Sequence, residues 1–174
     1  MRIRFVLALV LLTIGNSLFA QTSTPVNTSI RLSACVTTPS THRLVGWGRY
    51  GLHFMVPKKT VELKGGKPDI DYVTYIVKPI KDDSSLELWF GPISLSPGPD
   101  RESAKKLTSF TRTEIIDDRG EVVGVDYSGS RDDGRRWRKF VVGSEGSLYR
   151  DVPAASADLF DSIINSACEV PYSK

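Results

Sequence analysis

Between residues 44 and 91, apolar side chains fall on every second position and turn formers separate the runs. Leu52, Phe54 and Val56 alternate up to Pro57, Val61 and Leu63 precede Gly65-Gly66, and residues 72–77 are rich in β-branched and aromatic types. A period of two puts the apolar members on one face of a strand. Beyond Asp82-Asp83-Ser84-Ser85 the alternation resumes, with Leu86, Leu88 and Phe90 on one face and Glu87 and Trp89 on the other. The economical reading is an antiparallel meander with one face turned to a core.

The period lengthens after the loop Ser96-Pro97-Gly98-Pro99. Asp100 can cap a helix in which Ala104, Leu107 and Phe110 or Thr111 recur at helical spacing, which predicts helix over residues 100–111. Strands return at 114–116, 122–127, 137–142 and 147–150, and Asp132-Asp133-Gly134 joins the middle two as a hairpin. Near the C-terminus Leu159, Phe160, Ile163, Ile164 and Ala167 share one helical stripe, opposite Asp158, Asp161, Ser162 and Asn165. Such a stripe is buried against a sheet. The pattern therefore predicts a single α+β domain, an antiparallel sheet flanked by helices, with an amphipathic C-terminal helix lying on the sheet.

The first twenty residues stand apart. Arg2 and Arg4 precede an apolar run over residues 5–14, and Leu18-Phe19-Ala20 follows before Gln21, the layout of a secretory signal cut after Ala20. The run is about half a membrane span, so no span is expected after cleavage. Residues 21–34, rich in Ser and Thr, read as a flexible lead-in, 35–170 as the domain and 171–174 as a tail. Export to the periplasm or the medium permits disulfides. Cys35 and Cys168, the two cysteines, lie close to opposite ends of the mature chain, and a bridge between them is expected. Cys168 follows Ile164 by four residues, which ends the helix's apolar face beside the core. Without Arg2 and Arg4 the chain carries 21 basic and 20 acidic side chains, a balance of +1. So even a balance supplies no field for nucleic acid.

Several motifs bear on chemistry. Gly46-Trp47-Gly48-Arg49-Tyr50-Gly51 is a literal G-x-G-x-x-G, but the alternating residues that follow stop at Pro57 and offer no helix N-terminus to a phosphate. The glycines read as a turn or bulge where strands begin. His42 and His53 are the only histidines, and neither an H-x-x-x-H nor a C-x-x-C spacing for zinc occurs. Any histidine-dependent catalysis must use one of these two. The doublets Asp82-Asp83, Asp117-Asp118 and Asp132-Asp133 fall in turns, which aspartate favours for its bonds to the following backbone. No catalytic, cofactor-binding or metal-binding residue is assigned, and no cofactor is expected. The densest basic cluster surrounds Trp137, and Arg135, Arg136, Trp137 and Arg138 are the candidate partner-binding patch, since an aromatic among arginines can grip an acidic partner. In a strand, Arg136 and Arg138 share one face and Trp137 and Lys139 the other.

Four segments resemble the PsbP-like family. They are Tyr50-Gly51-Leu52-His53-Phe54-Met55-Val56-Pro57, the expected helix around residues 104–110, the stretch Gly134-Arg135-Arg136-Trp137-Arg138, and Phe160-Asp161-Ser162-Ile163-Ile164-Asn165-Ser166. Together they span about residues 48–168. The resemblance implies an α/β/α sandwich and a protein that binds other proteins, as members do with a photosynthetic complex or a nuclear-transport GTPase. Where such families have an aromatic shortly after the proline, this chain has Lys58-Lys59-Thr60, and the cysteine pair is not part of the family pattern. The expected function is an exported binding or assembly module acting on a protein partner in the envelope or extracellular space. The alternative is a small secreted hydrolase using His42 or His53.

Overall fold

The alternating runs become strands that pair in two separate sheets. The computed structural model describes residues 29–49, 51–66, 71–92 and 106–170. They form β1 (Ser29–Arg31), β2 (Ser33–Ala34), β3 (His42–Gly46), β4 (Gly51–Pro57), β5 (Val61–Gly65), β6 (Val73–Pro79) and β7 (Leu86–Phe90). Beyond them come β8 (Ser109–Ile116), β9 (Val122–Ser130), β10 (Arg136–Val142), β11 (Glu145–Val152), helix α1 (Ala154–Ile164) and β12 (Cys168–Val170). Sheet A has the order β1-β8-β9-β10-β11-β7-β6-β5 and sheet B the order β2-β12-β4-β3. Both are mixed: β1 runs parallel to β8 and β2 parallel to β12, and the other pairs are antiparallel.

The expected helix-flanked α/β/α sandwich is therefore corrected to a mostly β fold. The described residues hold twelve strands in two sheets and one complete helix. Of the helix expected over 100–111, residues 100–105 lie outside the described residues, Lys106 is helical, and 109–111 begin β8. The β-branched Thr111, Thr113 and Ile115 occupy alternate positions, and β8 pairs with β9 from Ser109 opposite Ser130 to Ile116 opposite Val122. A ladder of that length outweighs three apolar residues at helical spacing.

One hydrophobic cluster joins both sheets and the helix. Phe54 and Val56 of β4 meet Leu86, Leu88 and Phe90 of β7, Phe140 of β10, and Phe160, Ile163 and Ile164 of α1. Helix α1 touches β10 and β11 of sheet A and β4 of sheet B, so helix and small sheet share one face of the large one. Trp89, Trp137 and Leu148 form a second buried cluster, with Leu107, Tyr127 and Val141 packed on it.

The lead-in, expected to be loose over 21–34, is structured from Ser29 onward. Its strands β1 and β2 edge the two sheets in turn, and Leu32 between them enters the core. Leu32 N–H donates to the Ile116 carbonyl (2.9 Å) and Cys35 N–H to that of Glu169 (3.0 Å). The expected bridge is present: Cys35 and Cys168 are joined, closing a sequence separation of 133 residues. The expected signal segment 1–20 and tail 171–174 lie outside the described residues.

Candidate functional site

The glycines of the G-x-G-x-x-G stretch serve a hairpin. Gly46 and His53 are register partners across β3 and β4, and a methyl group on Gly46 would stand 2.4 Å from the His53 ring. Gly48 and Gly51 hold φ of 79° and 86°, the left-handed region that glycine enters freely. This turn carries Trp47 outward at 41% exposure. Its indole lies on Gly91, just past β7, where a methyl group would meet Trp47 Cζ3 at 2.9 Å, Tyr72 Cα at 2.9 Å and the Asp71 carbonyl at 2.3 Å. Gly91 holds φ 108°. Tyr72, next to β6, is 39% exposed. Three separate segments thus meet at one buried glycine: the turn whose Trp47 indole lies on it, the end of β7, and the backbone at Tyr72, whose side chain is also partly exposed.

The expected patch at Arg135, Arg136, Trp137 and Arg138 is distributed differently. Trp137 is 3% exposed, in the cluster with Trp89 and Leu148. Arg138 is 7% exposed on the opposite face of β10 and points toward α1. Its Nε and Nη2 donate to the Asp126 carboxylate at 2.7–3.2 Å, Nη1 donates to Asp161 Oδ1 at 2.9 Å, and Nη2 also donates to Asn165 Oδ1 at 2.8 Å. Tyr149 Oη donates to the same Asp161 oxygen at 2.9 Å. Burial alone would lower the Arg138 pKa, but hydrogen bonds and attraction from Asp126 and then Asp161 reverse the direction, and it is raised. The Tyr149 phenol is pushed up by burial and by Asp161. Arg136 and Arg135 are the surface members: Arg136 pairs with Asp158 at 2.6 Å, and Arg135 donates to the Asp151 carbonyl at 2.6 Å. Arg138 and its partners clamp the helix to the sheet, and the four residues do not share one surface.

Both histidines have local partners. His53 is 5% exposed and its Nδ1–H donates to the Gly51 carbonyl at 2.9 Å. His42 Nδ1 lies 2.9 Å from Thr41 Oγ1. Close to His53, the half-buried Glu145 accepts the Leu52 N–H at 3.0 Å. Burial pushes the Glu145 carboxyl up, and the Leu52 N–H and His53 offset this in part, while Glu169 adds to it.

The acidic doublets sit in their turns as expected. Asp82 Oδ1 accepts the Ser84 N–H at 2.6 Å, Asp117 accepts the N–H groups of Arg119 and Glu121 at 2.9 and 2.8 Å, and Asp133 accepts that of Arg135 at 3.0 Å. Asp82 is also hydrogen-bonded by the Ser156 hydroxyl in the first turn of α1, which lowers its pKa. An open groove of about 430 Å³ runs past Ser33, Ala34, Asp117, Asp118 and Glu169. Among the described residues no three His, Cys, Asp or Glu side chains are placed to hold a metal, and no helix is long and apolar enough to cross a membrane.

Sequence reading missed the Trp47–Tyr72 shelf because its parts are far apart in the chain. The available signal was a tryptophan inside a glycine-rich turn, where no core position calls for one. Comparison with protein-family models, curated proteins and solved structures finds no match for this chain.

Proposed function

We propose that this protein is an exported binding module that docks a protein partner through the Trp47–Tyr72 shelf. The observation that carries the reading is the seating of the Trp47 indole on Gly91, next to the Tyr72 backbone, with about two fifths of each aromatic residue left in solvent. An indole fixed in place by a backbone glycine loses little freedom on binding, and Trp and Tyr dominate the energetics of protein contacts. The charged side chains of the expected basic patch serve the fold instead: Arg138 holds α1, and Arg135 and Arg136 cap neighbouring carbonyl and carboxylate groups. The Cys35–Cys168 bridge fits an oxidising compartment, and the signal-like N-terminus supports export.

The test compares wild type with the double substitution W47A/Y72A. Both side chains are surface positions, so the thermal midpoint should stay within a few degrees of wild type. Cross-linking in intact envelopes, followed by mass spectrometry, should recover a defined partner with wild type and lose it with W47A/Y72A. Equal recovery by the two proteins, whether of a partner or of none, overturns the reading.

A further inference from the structure

Sheet A ends at β5, and among the described residues no strand lies beyond it. The ladder to β6 determines which backbone groups point away from β6. Gly66 N–H donates to the Thr74 carbonyl at 3.0 Å and Ile80 N–H to the Thr60 carbonyl at 3.2 Å. In an antiparallel pair the bonded positions recur every second residue, so Glu62 and Lys64 bond toward β6 while Val61, Leu63 and Gly65 direct N–H and C=O outward. The side chains divide the same way. Val61 and Leu63 face the core, and Glu62 and Lys64 pair with each other at 3.1 Å on the exposed face.

We propose that β5 is the contact of a symmetric dimer, pairing antiparallel with β5 of a second copy about a two-fold axis at Leu63. The outward groups match only if odd positions face odd positions, which allows registers centred on Glu62, Leu63 or Lys64. Centring on Glu62 sets carboxylate against carboxylate, and centring on Lys64 sets ammonium against ammonium. Centring on Leu63 sets Glu62 of each copy opposite Lys64 of the other. Opposite charges across a strand pair are stabilising and like charges are not, so the charge pattern selects the Leu63 register. In it, each Leu63 exchanges both outward backbone groups with its symmetry mate, and the two leucine side chains meet on the core side. The contact is self-complementary, as a two-fold interface requires.

Edge strand β3 lacks this property. Lys58 N–H donates to the Thr41 carbonyl, so His42, Leu44 and Gly46 face outward, and the register centred on Leu44 sets Arg43 opposite Val45. The charges on β5 also oppose arbitrary strand addition, the usual protection of an exposed edge. Gly65 at φ 97° turns the chain out of line, so the shared ladder is short and the dimer is concentration-dependent.

Sedimentation equilibrium on the isolated full-length mature chain, at low salt and up to about 500 µM, tests this, since a contact far below the standard interface size is weak. Wild type should show a monomer–dimer equilibrium that weakens with salt. E62K, which sets ammonium opposite ammonium twice, should raise the dissociation constant by at least about tenfold. The double variant E62K/K64E restores opposite charges in the same register and should return it to near the wild-type value. L63P removes an outward N–H while leaving the β6 ladder, and should abolish the dimer. Both charge changes lie on the exposed face, so they keep the test valid if L63P fails to fold. A wild type that is monomeric throughout, an E62K that associates as tightly as wild type, or a double variant that stays monomeric each overturns the proposal.

Discussion

Gly91 shows how much one missing side chain can organise. Its φ of 108° is costly for any other residue, and a methyl group there would stand 2.3 Å from the Asp71 carbonyl, a backbone atom with little room to yield. Gly91→Ala is expected to cost about 2–4 kcal/mol and to lift Trp47 from its seat. Trp89 and Trp137 are buried, so acrylamide quenching of fluorescence reads mainly Trp47. Quenching should rise and the thermal midpoint fall, and a variant unchanged in both would show that Gly91 does not hold the shelf. Glu145 is a different single-residue case. Its carboxyl is raised chiefly by burial, so the native state holds that proton more tightly than the unfolded chain does. The stability this group contributes is full below the ordinary carboxyl range and is lost as pH rises through the elevated native value. Glu145→Gln keeps an oxygen for the Leu52 N–H and carries no charge. The variant should melt with wild type near pH 4 and above it near pH 8. Equal differences at the two pH values would show that the carboxyl titrates as it does in the unfolded chain.

At the scale of elements, the docking of α1 depends on an apolar stripe and a buried charge. The stripe was legible because its apolar positions keep one face over three turns, and Phe160, Ile163 and Ile164 are fully buried. The charge was half legible. A period of two correctly separates Arg138 from Trp137, but Asp126 and Asp161, which decide that the Arg138 face is the covered one, lie 12 and 23 residues away. Removing the guanidinium leaves Asp126 buried without its counter-charge, so Arg138→Ala should cost about 3–5 kcal/mol in urea unfolding. Arg138→Lys should recover little, because one ammonium cannot replace a fork that serves Asp126, Asp161 and Asn165 together. Adding Asp161→Asn to Arg138→Ala should cost less than the two separate losses combined, since they share an interaction. Strict additivity would place Asp161 outside the clamp. The misread element is β8. Leu107, Phe110 and Thr111 have helical spacing, yet Phe110 stacks on Tyr127 at 5.8 Å across the β8–β9 ladder, a partner that local periodicity does not contain.

For the whole molecule, the decisive feature is how the chain ends are tied. The two cysteines announced a bridge, but not that the residues before Cys35 would join it in closing the fold. Composition described 21–34 as loose because Ser and Thr carry no periodic apolar face. What orders residues 29–35 is contact with distant parts of the chain: β1 lies parallel on β8, β2 parallel on β12 near the C-terminus, and Leu32 enters the core between them. Five strand residues in two pieces would not hold this position alone, so the disulfide and the strap depend on each other. Reduction, or the variant C35S/C168S, releases a closure spanning 133 residues, for which chain entropy gives up to about 5 kcal/mol. The thermal midpoint should fall by roughly 10 °C. Hydrogen exchange separates this local account from general loosening. The amides of Leu32 and Cys35, which donate to Ile116 and Glu169, should lose protection first, while β10 and β11 stay protected at temperatures well below the new midpoint. If protection falls equally in β10, the bridge supports the whole domain rather than its strap; if the amides of Leu32 and Cys35 stay protected after reduction, the strap holds by its strand contacts and does not depend on the bridge.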